Sequence, residues 1–167
     1  MPTALTVKLA KTVLVFSIGL FAALAGIGNI LDPATNYSFV EHVLTMDTVF
    51  PNNPLAAQRA ITDSTLHKLA FWLIVLTELV VAGLCFWGTI QLLMTMRSPA
   101  VVYNAAKGPA VAGLCLAVVL WFTGFVAVGG EWFLMWQSSD WNGIAAAFRF
   151  AASAFLALIF LVLEDRD

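Results

Sequence analysis

The sequence predicts an all-α fold: a transmembrane four-helix bundle with a short amphipathic helical cap on its outer side. Hydrophobic residues make up 61% of the 167 residues and charged residues only 11%, whereas roughly a quarter of the residues of a globular domain are charged. Four apolar stretches each approach the ~20 residues that a helix needs to cross a bilayer. The chain between the first two stretches is long and amphipathic, and it supplies the cap. Almost nothing is left over for a soluble domain.

We expect a single transmembrane domain over residues 1–167. The predicted spans lie at about 12–30, 69–94, 109–136 and 143–163, with an outer loop at 31–68. Lys8 and Lys11 before the first stretch, together with Ala23-Leu24-Ala25 within it, would also fit a cleaved signal peptide. The apolar run continues to Ile30 without a break, however, and this favours a spanning helix.

Two spans carry small residues at helical spacing, a pattern that lets helix backbones approach each other closely. These strips are Gly19, Ala22, Ala23 and Gly26 in the first span, and Ala147, Ala151, Ala154 and Ala157 in the fourth. We interpret both as packing faces inside the bundle, with a dimer interface as the alternative. Cys85 and Cys115 lie within spans, so we regard them as small apolar residues and expect no disulfide.

The outer loop is predicted to form an amphipathic helix over the mouth of the bundle. Proline disfavours helical geometry in the residue before it, so Asp32-Pro33 ends the first span. Tyr37, Val40 and Leu44 then share one helical face.

The rest of the outer loop leads into the second span. Pro51-Asn52-Asn53-Pro54 forces a turn, and Leu55 to Ile61 is a candidate second helical piece. Thr62 or Asp63 can cap the second span by accepting amide hydrogen bonds.

The distribution of charge predicts the orientation. One side of a four-span protein collects Lys8, Lys11, Arg97, Lys107 and Arg166, and the opposite side has only Arg59 and Lys68 with Asp32, Glu41, Asp47, Asp63 and Asp140. If the membrane is a bacterial inner (plasma) membrane, the positive-inside rule predicts a multi-pass protein with both termini in the cytoplasm. Trp132, Trp136 and Trp141 fit an interfacial aromatic belt on the outer side.

Two formal charges lie inside the apolar stretches. Glu78 is roughly 15 Å below the outer end of the second span, and Arg149 is roughly 9 to 12 Å below that of the fourth. Each charge alone would cost about 2.5 to 3.5 kcal/mol on insertion scales. We therefore expect the two side chains to meet as a direct or water-bridged pair. Such a pair can also do no more than fix helix register.

A wider polar cluster is the sharper hypothesis. His67 precedes Glu78 by close to three helical turns on one helix face, and Glu131 lies near the outer end of the third span. With Arg149 these residues would line an outward-facing cavity able to hold a lipid headgroup, a quinone or a metal ion. The alternative is a structural hydrogen-bonded cluster, since buried polar groups must be satisfied whatever their use.

The outer loop offers further candidates. They are Asp32, Glu41, His42, Asp47, Arg59 and Asp63. Among them His42, Asp47 and Asp63, with His67, are weak candidates for metal ligands, because imidazole and carboxylate groups bind zinc and related ions. Asp63 is equally explained as a helix cap and His42 as a residue of the amphipathic helix. The cofactor, if any, is unknown from the sequence.

Several function classes leave no trace in the sequence. There is no Walker-type phosphate loop, no dinucleotide fingerprint, no Gly-x-Ser-x-Gly elbow and no CxxC pair. No basic stripe suggests nucleic acid as a partner.

Several segments together resemble a known family. They are residues 25–33, Phe39 to Thr48, Arg59 to Asp63, Glu131 to Ser138, Trp141-Asn142-Gly143 and Phe148-Arg149-Phe150. They resemble a bacterial family of predicted small integral membrane proteins of unknown function. The resemblance implies a four-helix inner-membrane protein, supplies no activity, and draws attention to Asn29, Asp32, His42, Asp47, Arg59, Glu131, Trp136 and Arg149.

The sequence thus favours a non-enzymatic accessory or assembly subunit of a larger membrane complex, with membrane lipids and other membrane protein subunits as partners. Its second interpretation is a binding protein or enzyme that uses the polar cluster on a lipid, quinone or metal. The third is an oligomeric ion channel with Glu78 lining the path.

Overall fold

Four apolar helices long enough to cross a membrane pack side by side in the computed structural model, which describes residues 2–166. Their spanning parts are Ala4–Leu31, Ser64–Met94, Gly108–Trp132 and Ile144–Val162. Each packs against the next along the chain, and the fourth closes against the first. The predicted all-α membrane bundle is confirmed.

Seven α-helices follow one another within residues 2–166. They are α1 (Pro2–Leu31), α2 (Pro33–Thr45), α3 (Pro54–Arg59), α4 (Ser64–Met94), α5 (Ala100–Ala105), α6 (Gly108–Val118) and α7 (Ile144–Val162). A π-helix (Val119–Trp132) continues α6, and a 3₁₀ turn follows at Met135–Gln137. We call the end of the bundle that carries α5 and both termini the terminal end, and the end that carries α2 and α3 the cap end.

The helices differ from the expected spans mainly at their ends. α1 and α4 begin before the predicted positions 12 and 69, the third span ends at Trp132 instead of 136, and α5 lies in a loop for which no helix was expected. An apolar run marks only the part of a helix that is hydrophobic, whereas these helices continue into polar residues.

Glycines bring α1 and α6 very close to α4. Cys85 of α4 is buried between them: a Cβ added at Gly19 of α1 would lie 2.8 Å from its Cβ, and one added at Gly113 of α6 would lie 2.8 Å from its Sγ. At Gly88 of α4 an added Cβ would lie 2.5 Å from the backbone nitrogen of Ala110. Small residues permit this approach of helix backbones, so α4 is the helix on which its two neighbours are assembled.

The small-residue strips of the first and fourth spans face the interior, as predicted. Ala22 and Gly26 of α1 are buried alongside Gly19. All four alanines of the α7 strip are buried as well. The strips are therefore packing faces within the bundle. Cys85 and Cys115 are free thiols.

The third span changes its winding toward the cap end. The Phe133 amide donates to the Val128 carbonyl, five residues earlier, at 3.0 Å. π-helical winding is rare and usually limited to one turn, so the stretch Val119–Trp132 is unusually long. α4 packs closely on α6 but touches the π-helix at few points. The two spans therefore separate as they approach the cap end.

Buried charges close the terminal end. The Asp165 carboxylate accepts hydrogen bonds from Lys11 Nζ at 2.7 Å and from Lys107 Nζ at 2.6 Å. Both lysines also donate to the Leu163 carbonyl, at 2.6 and 2.9 Å respectively. Asn104 exchanges two hydrogen bonds with the Asp165 backbone. This lysine–aspartate cluster (Lys11, Lys107 and Asp165) ties the start of α1 and the entry to α6 to the chain after α7.

The predicted amphipathic helix of the outer loop is α2, which lies against α4 at the cap end. Val40 is buried with Phe71 and Val75 of α4, and Tyr37 and Leu44 pack at the edge of this cluster. The face predicted from the sequence is therefore the face that packs. The predicted second helical piece is α3.

Substitution of Asp165 tests the lysine–aspartate cluster. We expect Asp165→Asn to lower the free energy of unfolding by about 3 kcal/mol, because two buried ammonium groups lose their counter-charge. The measurement is reversible unfolding in mixed micelles. Glu164→Gln, at the exposed neighbouring position, is the matched control and should change the free energy little.

The difference in stability between the wild type and Asp165→Asn should depend on pH. Burial alone would raise the pKa of Asp165, but hydrogen bonds and charge from Lys107 and Lys11 outweigh it and hold the pKa below 3.8. The stabilisation is therefore complete above about pH 5 and is lost as the pH falls through the folded-state pKa. The stability gap between wild type and Asp165→Asn should shrink in that acidic range. A gap that stays constant, or no gap at neutral pH, would contradict the assignment.

Candidate functional site

Glu78 forms a hydrogen bond with Asn29 and does not contact Arg149. Glu78 is buried, and its Oε2 accepts a hydrogen bond from Asn29 Nδ2 of α1 at 2.7 Å. Arg149 is exposed on α7, where its Nε donates to the Ala145 carbonyl at 3.1 Å. The ion pair expected between Glu78 and Arg149 is not formed, and an amide takes the place of the guanidinium.

The order of the helices explains this outcome. α4 packs between α1 and α6, whereas α7 packs on α6, the π-helix and α1. Glu78 and Arg149 are therefore on helices that are not main neighbours, although they were correctly expected in the second and fourth spans. Depth in a membrane does not determine the direction in which a side chain points around its helix.

The wider polar cluster is likewise divided. His67 is buried at the cap end of α4, where its Nε2 lies 2.7 Å from the Ile61 carbonyl oxygen. Its Nδ1 lies 3.8 Å from a Glu41 oxygen and has no hydrogen-bond partner within residues 2–166. Glu131 is exposed near the end of the π-helix. His67, Glu78, Glu131 and Arg149 thus occupy four separate surroundings.

Two carboxylates of the outer loop cap helices. At the start of α2, Asp32 accepts hydrogen bonds from the Thr35 amide at 3.5 Å and from the Thr35 hydroxyl at 2.8 Å. Asp63 accepts from the Thr65 amide at 2.7 Å at the start of α4, and this hydrogen bond is the largest cause that lowers the pKa of Asp63. Helix caps of this kind satisfy amide groups that have no partner within the helix. Of the two residues predicted as possible caps of the second span, Thr62 and Asp63, it is Asp63 that caps it.

His42 and Asp47 form a partly exposed pair at the cap end. The two side chains are 2.7 Å apart, and the His42 ring stacks on Trp141 with centroids 4.4 Å apart. The proposed metal ligands His42, Asp47, Asp63 and His67 do not gather, since the described residues contain no group of three or more His, Cys, Asp or Glu placed to hold a metal ion.

An apolar cavity of about 200 Å³ lies where α4 and the π-helix separate. The face of α2 that carries Phe39, Val40, Val43 and Leu44 lines it, and so does Met135 of the Met135–Gln137 turn. Its lining is almost wholly hydrocarbon and includes Leu73 of α4 together with Gly124 and Val128 of the π-helix. Leu73, Gly124 and Val128 are exposed, so the cavity opens toward the outside of the bundle. We call it the cap cavity.

A polar recess adjoins the cap cavity. It is lined by Arg59, Ala127, Val128, Glu131, Trp132 and Phe133, and it shares Val128 and Phe133 with the cavity. Arg59 donates from Nη1 to the Trp132 carbonyl at 3.1 Å, and its guanidinium lies 4.4 Å above the Trp132 ring. Among the residues the structure describes, Arg59 and Glu131 form no ion pair with each other. Both charges therefore remain available in one recess.

A second apolar surface lies on the opposite side of the third span. A groove of about 320 Å³ runs between the π-helix and α7 and is lined by Val118, Phe122, Phe148, Ala151, Ala152 and Phe155. Arg149, the residue after Phe148, is exposed but does not line the groove itself. We call this surface the α7 groove.

Sequence reasoning missed two polar partnerships. Asn29 was singled out only through the family resemblance, although an amide within a long apolar stretch signals a hydrogen-bond partner at similar depth. The second partnership is the lysine–aspartate cluster. Lys11 and Lys107 were counted only among the positive charges of one side, and Asp165 was not considered. Their position on one side of four antiparallel spans is the signal that could have indicated the cluster.

A double-mutant cycle distinguishes the two possible partners of Glu78. We expect Asn29→Leu to lower the free energy of unfolding by about 1 to 3 kcal/mol, because the buried carboxyl group loses its hydrogen-bond donor. Glu78→Leu combined with Asn29→Leu should lose less than the sum of the single changes. The change in the free energy of unfolding caused by Arg149→Gln should be the same in the wild type and in each of these variants. Coupling of Glu78 to Arg149 in place of Asn29 would contradict the observed arrangement.

Comparison with known proteins agrees with this architecture. Residues 7–164 match the model of a family described as predicted small integral membrane protein (DUF2165). No curated protein and no solved structure matches the chain. The family match covers most of the first span and all of the other three, including Asn29, Glu78 and Arg149, so the chain belongs to the predicted small integral membrane protein family (DUF2165).

Proposed function

We propose that this protein is a non-enzymatic accessory or assembly subunit of a larger membrane complex and that it contacts its partner through the α7 groove. The observation that supports the proposal is the surroundings of Arg149. Arg149 follows the groove residue Phe148 in the sequence, is exposed, and donates its hydrogen bond to the Ala145 carbonyl of its own helix. An arginine inside a spanning helix is costly unless it finds a partner or reaches the interface.

The shape of the α7 groove fits a helix of a partner protein. Ala151 and Ala152 form part of its floor, while Phe122 and Phe155 are exposed at its edges. Small residues allow a second helix to come close, and bulky residues on either side add van der Waals contact. A carboxylate on that helix, level with Arg149, would accept two parallel hydrogen bonds from the guanidinium.

We also infer that the protein lies in a bacterial inner membrane with both termini in the cytoplasm. The terminal end carries Lys8, Lys11, Arg97, Lys107 and Arg166, and this excess of positive charge supports that orientation. A green fluorescent protein fused after the last residue should then be fluorescent in cells. A fusion that is made in normal amounts but is not fluorescent would indicate the opposite orientation.

Site-specific photo-crosslinking tests the subunit proposal. A photoreactive phenylalanine in place of Phe155, at the edge of the α7 groove, should give an adduct with one membrane protein that has a carboxylate in the crosslinked helix. The same probe at position 76, an exposed leucine of α4, is the matched control and should not. Arg149→Glu should reduce the adduct at least about tenfold, as expected when like charges face each other in a poorly solvated contact.

The charge exchange completes the test. Replacing the partner carboxylate by arginine should restore the adduct with Arg149→Glu. Equal, non-specific adducts from positions 155 and 76, together with a clean monomer after gentle extraction, would contradict the proposal.

A further inference from the structure

The cap cavity and the polar recess together have the layout of a phospholipid site. The cap cavity offers hydrocarbon along its length, and the recess places one cation and one anion at its mouth. We propose that this composite site binds one zwitterionic phospholipid with an ethanolamine headgroup, through its acyl chain, its phosphate and its ammonium group. This site is separate from the α7 groove and does not depend on the proposed subunit role.

The apolar part of the site suits an acyl chain. The cap cavity opens between α4 and the π-helix, and its mouth is formed by exposed Leu73, Gly124 and Val128. A chain can therefore enter sideways from the hydrocarbon layer. A cavity lined by apolar groups does not hold water stably, so hydrocarbon is the occupant that the lining favours.

The polar part of the site suits a phosphate. Arg59 uses one N–H group on the Trp132 carbonyl, and a guanidinium has five N–H donors in a planar fork. The ring of Trp132 beneath the guanidinium holds that fork in place. Arginine in this arrangement can bind phosphate oxygens through two hydrogen bonds.

Glu131 supplies selectivity for the headgroup. Its carboxylate lines the same recess as Arg59 and is exposed, without an ion pair to Arg59 in the described part of the chain. It can accept hydrogen bonds from a primary ammonium group, whereas it would repel an anionic headgroup. A ligand with a phosphate and an ammonium group complements both charges at once.

The depth of the recess is that of lipid headgroups. Trp132 and Trp136 are both exposed at this end of the bundle, and tryptophan favours the level where headgroups meet hydrocarbon. A phospholipid whose chain lies in the cap cavity would therefore have its phosphate at the height of Arg59 without leaving the bilayer.

Native mass spectrometry of the full chain in mild detergent tests the proposal. Phosphatidylethanolamine and phosphatidylglycerol with identical acyl chains are titrated separately. A one-to-one adduct should form with an affinity about tenfold higher for phosphatidylethanolamine, the size expected for one charge-assisted hydrogen bond. Glu131→Gln should bring the two affinities together, and Arg59→Gln should weaken both.

A cavity-filling variant tests the hydrocarbon part independently. A Cβ added at Gly124 would meet nothing within 4 Å, and Gly124 lines the cap cavity, so we expect the side chain of Gly124→Leu to occupy part of that cavity. This variant should lower the affinity for both lipids about tenfold, as expected from the loss of a buried leucine-sized contact. Gly83→Leu is the control, because Gly83 is equally open but lines neither the cavity nor the recess. Unfolding midpoints confirm that each variant folds.

The outcomes separate a site from a general lipid coat. Selectivity that Glu131→Gln removes, with weaker binding in Gly124→Leu and not in Gly83→Leu, supports the proposal. Multiple adducts that ignore the headgroup, or binding that is unchanged in Glu131→Gln and Gly124→Leu, would overturn it.

Discussion

The contact of Cys85 with Gly19 on one side and Gly113 on the other is the constraint on which the rest of the structure depends. In a bilayer, apolar side chains gain little from leaving lipid, so helices associate through close van der Waals packing and a few hydrogen bonds. An added Cβ at either glycine would come within 2.8 Å of a Cys85 atom. The fit therefore determines which faces of α1 and α6 turn toward α4, and α7 completes the bundle on the other side of α1 and α6.

This arrangement decides what the polar groups can do. Because α1 lies directly against α4, Glu78 meets Asn29 at 2.7 Å and is not left facing a wet cavity. Arg149, on the remaining helix, points outward instead. The terminal end is closed by the lysine–aspartate cluster, whereas α4 and the π-helix separate at the cap end. Apolar grooves with charged residues nearby are consequently found at the cap end and on α7.

The sequence was sufficient for features that depend on local pattern. Runs of apolar residues indicated four spans, Val40 and its neighbours indicated the face of α2, and Asp63 was one of two residues expected to cap the second span. Features that depend on which helices are neighbours were beyond it: Glu78 and Arg149 were expected at similar depth, but depth leaves the rotation of each helix undetermined. Asp165 reaches Lys11 across 154 positions, a pairing that no local pattern encodes. The π-helix left no recognisable signal either.

The most direct test of this account compares two glycine-to-alanine changes in α4. At Gly88 an added Cβ would lie 2.5 Å from the Ala110 backbone, whereas at Gly83 it would meet nothing within 4 Å. Unfolding in mixed micelles should show that Gly88→Ala costs at least about 2 kcal/mol, since overpacking typically costs about 1 to 3 kcal/mol, and that Gly83→Ala is neutral or slightly stabilising. Equal effects of the two changes would contradict the close packing around α4.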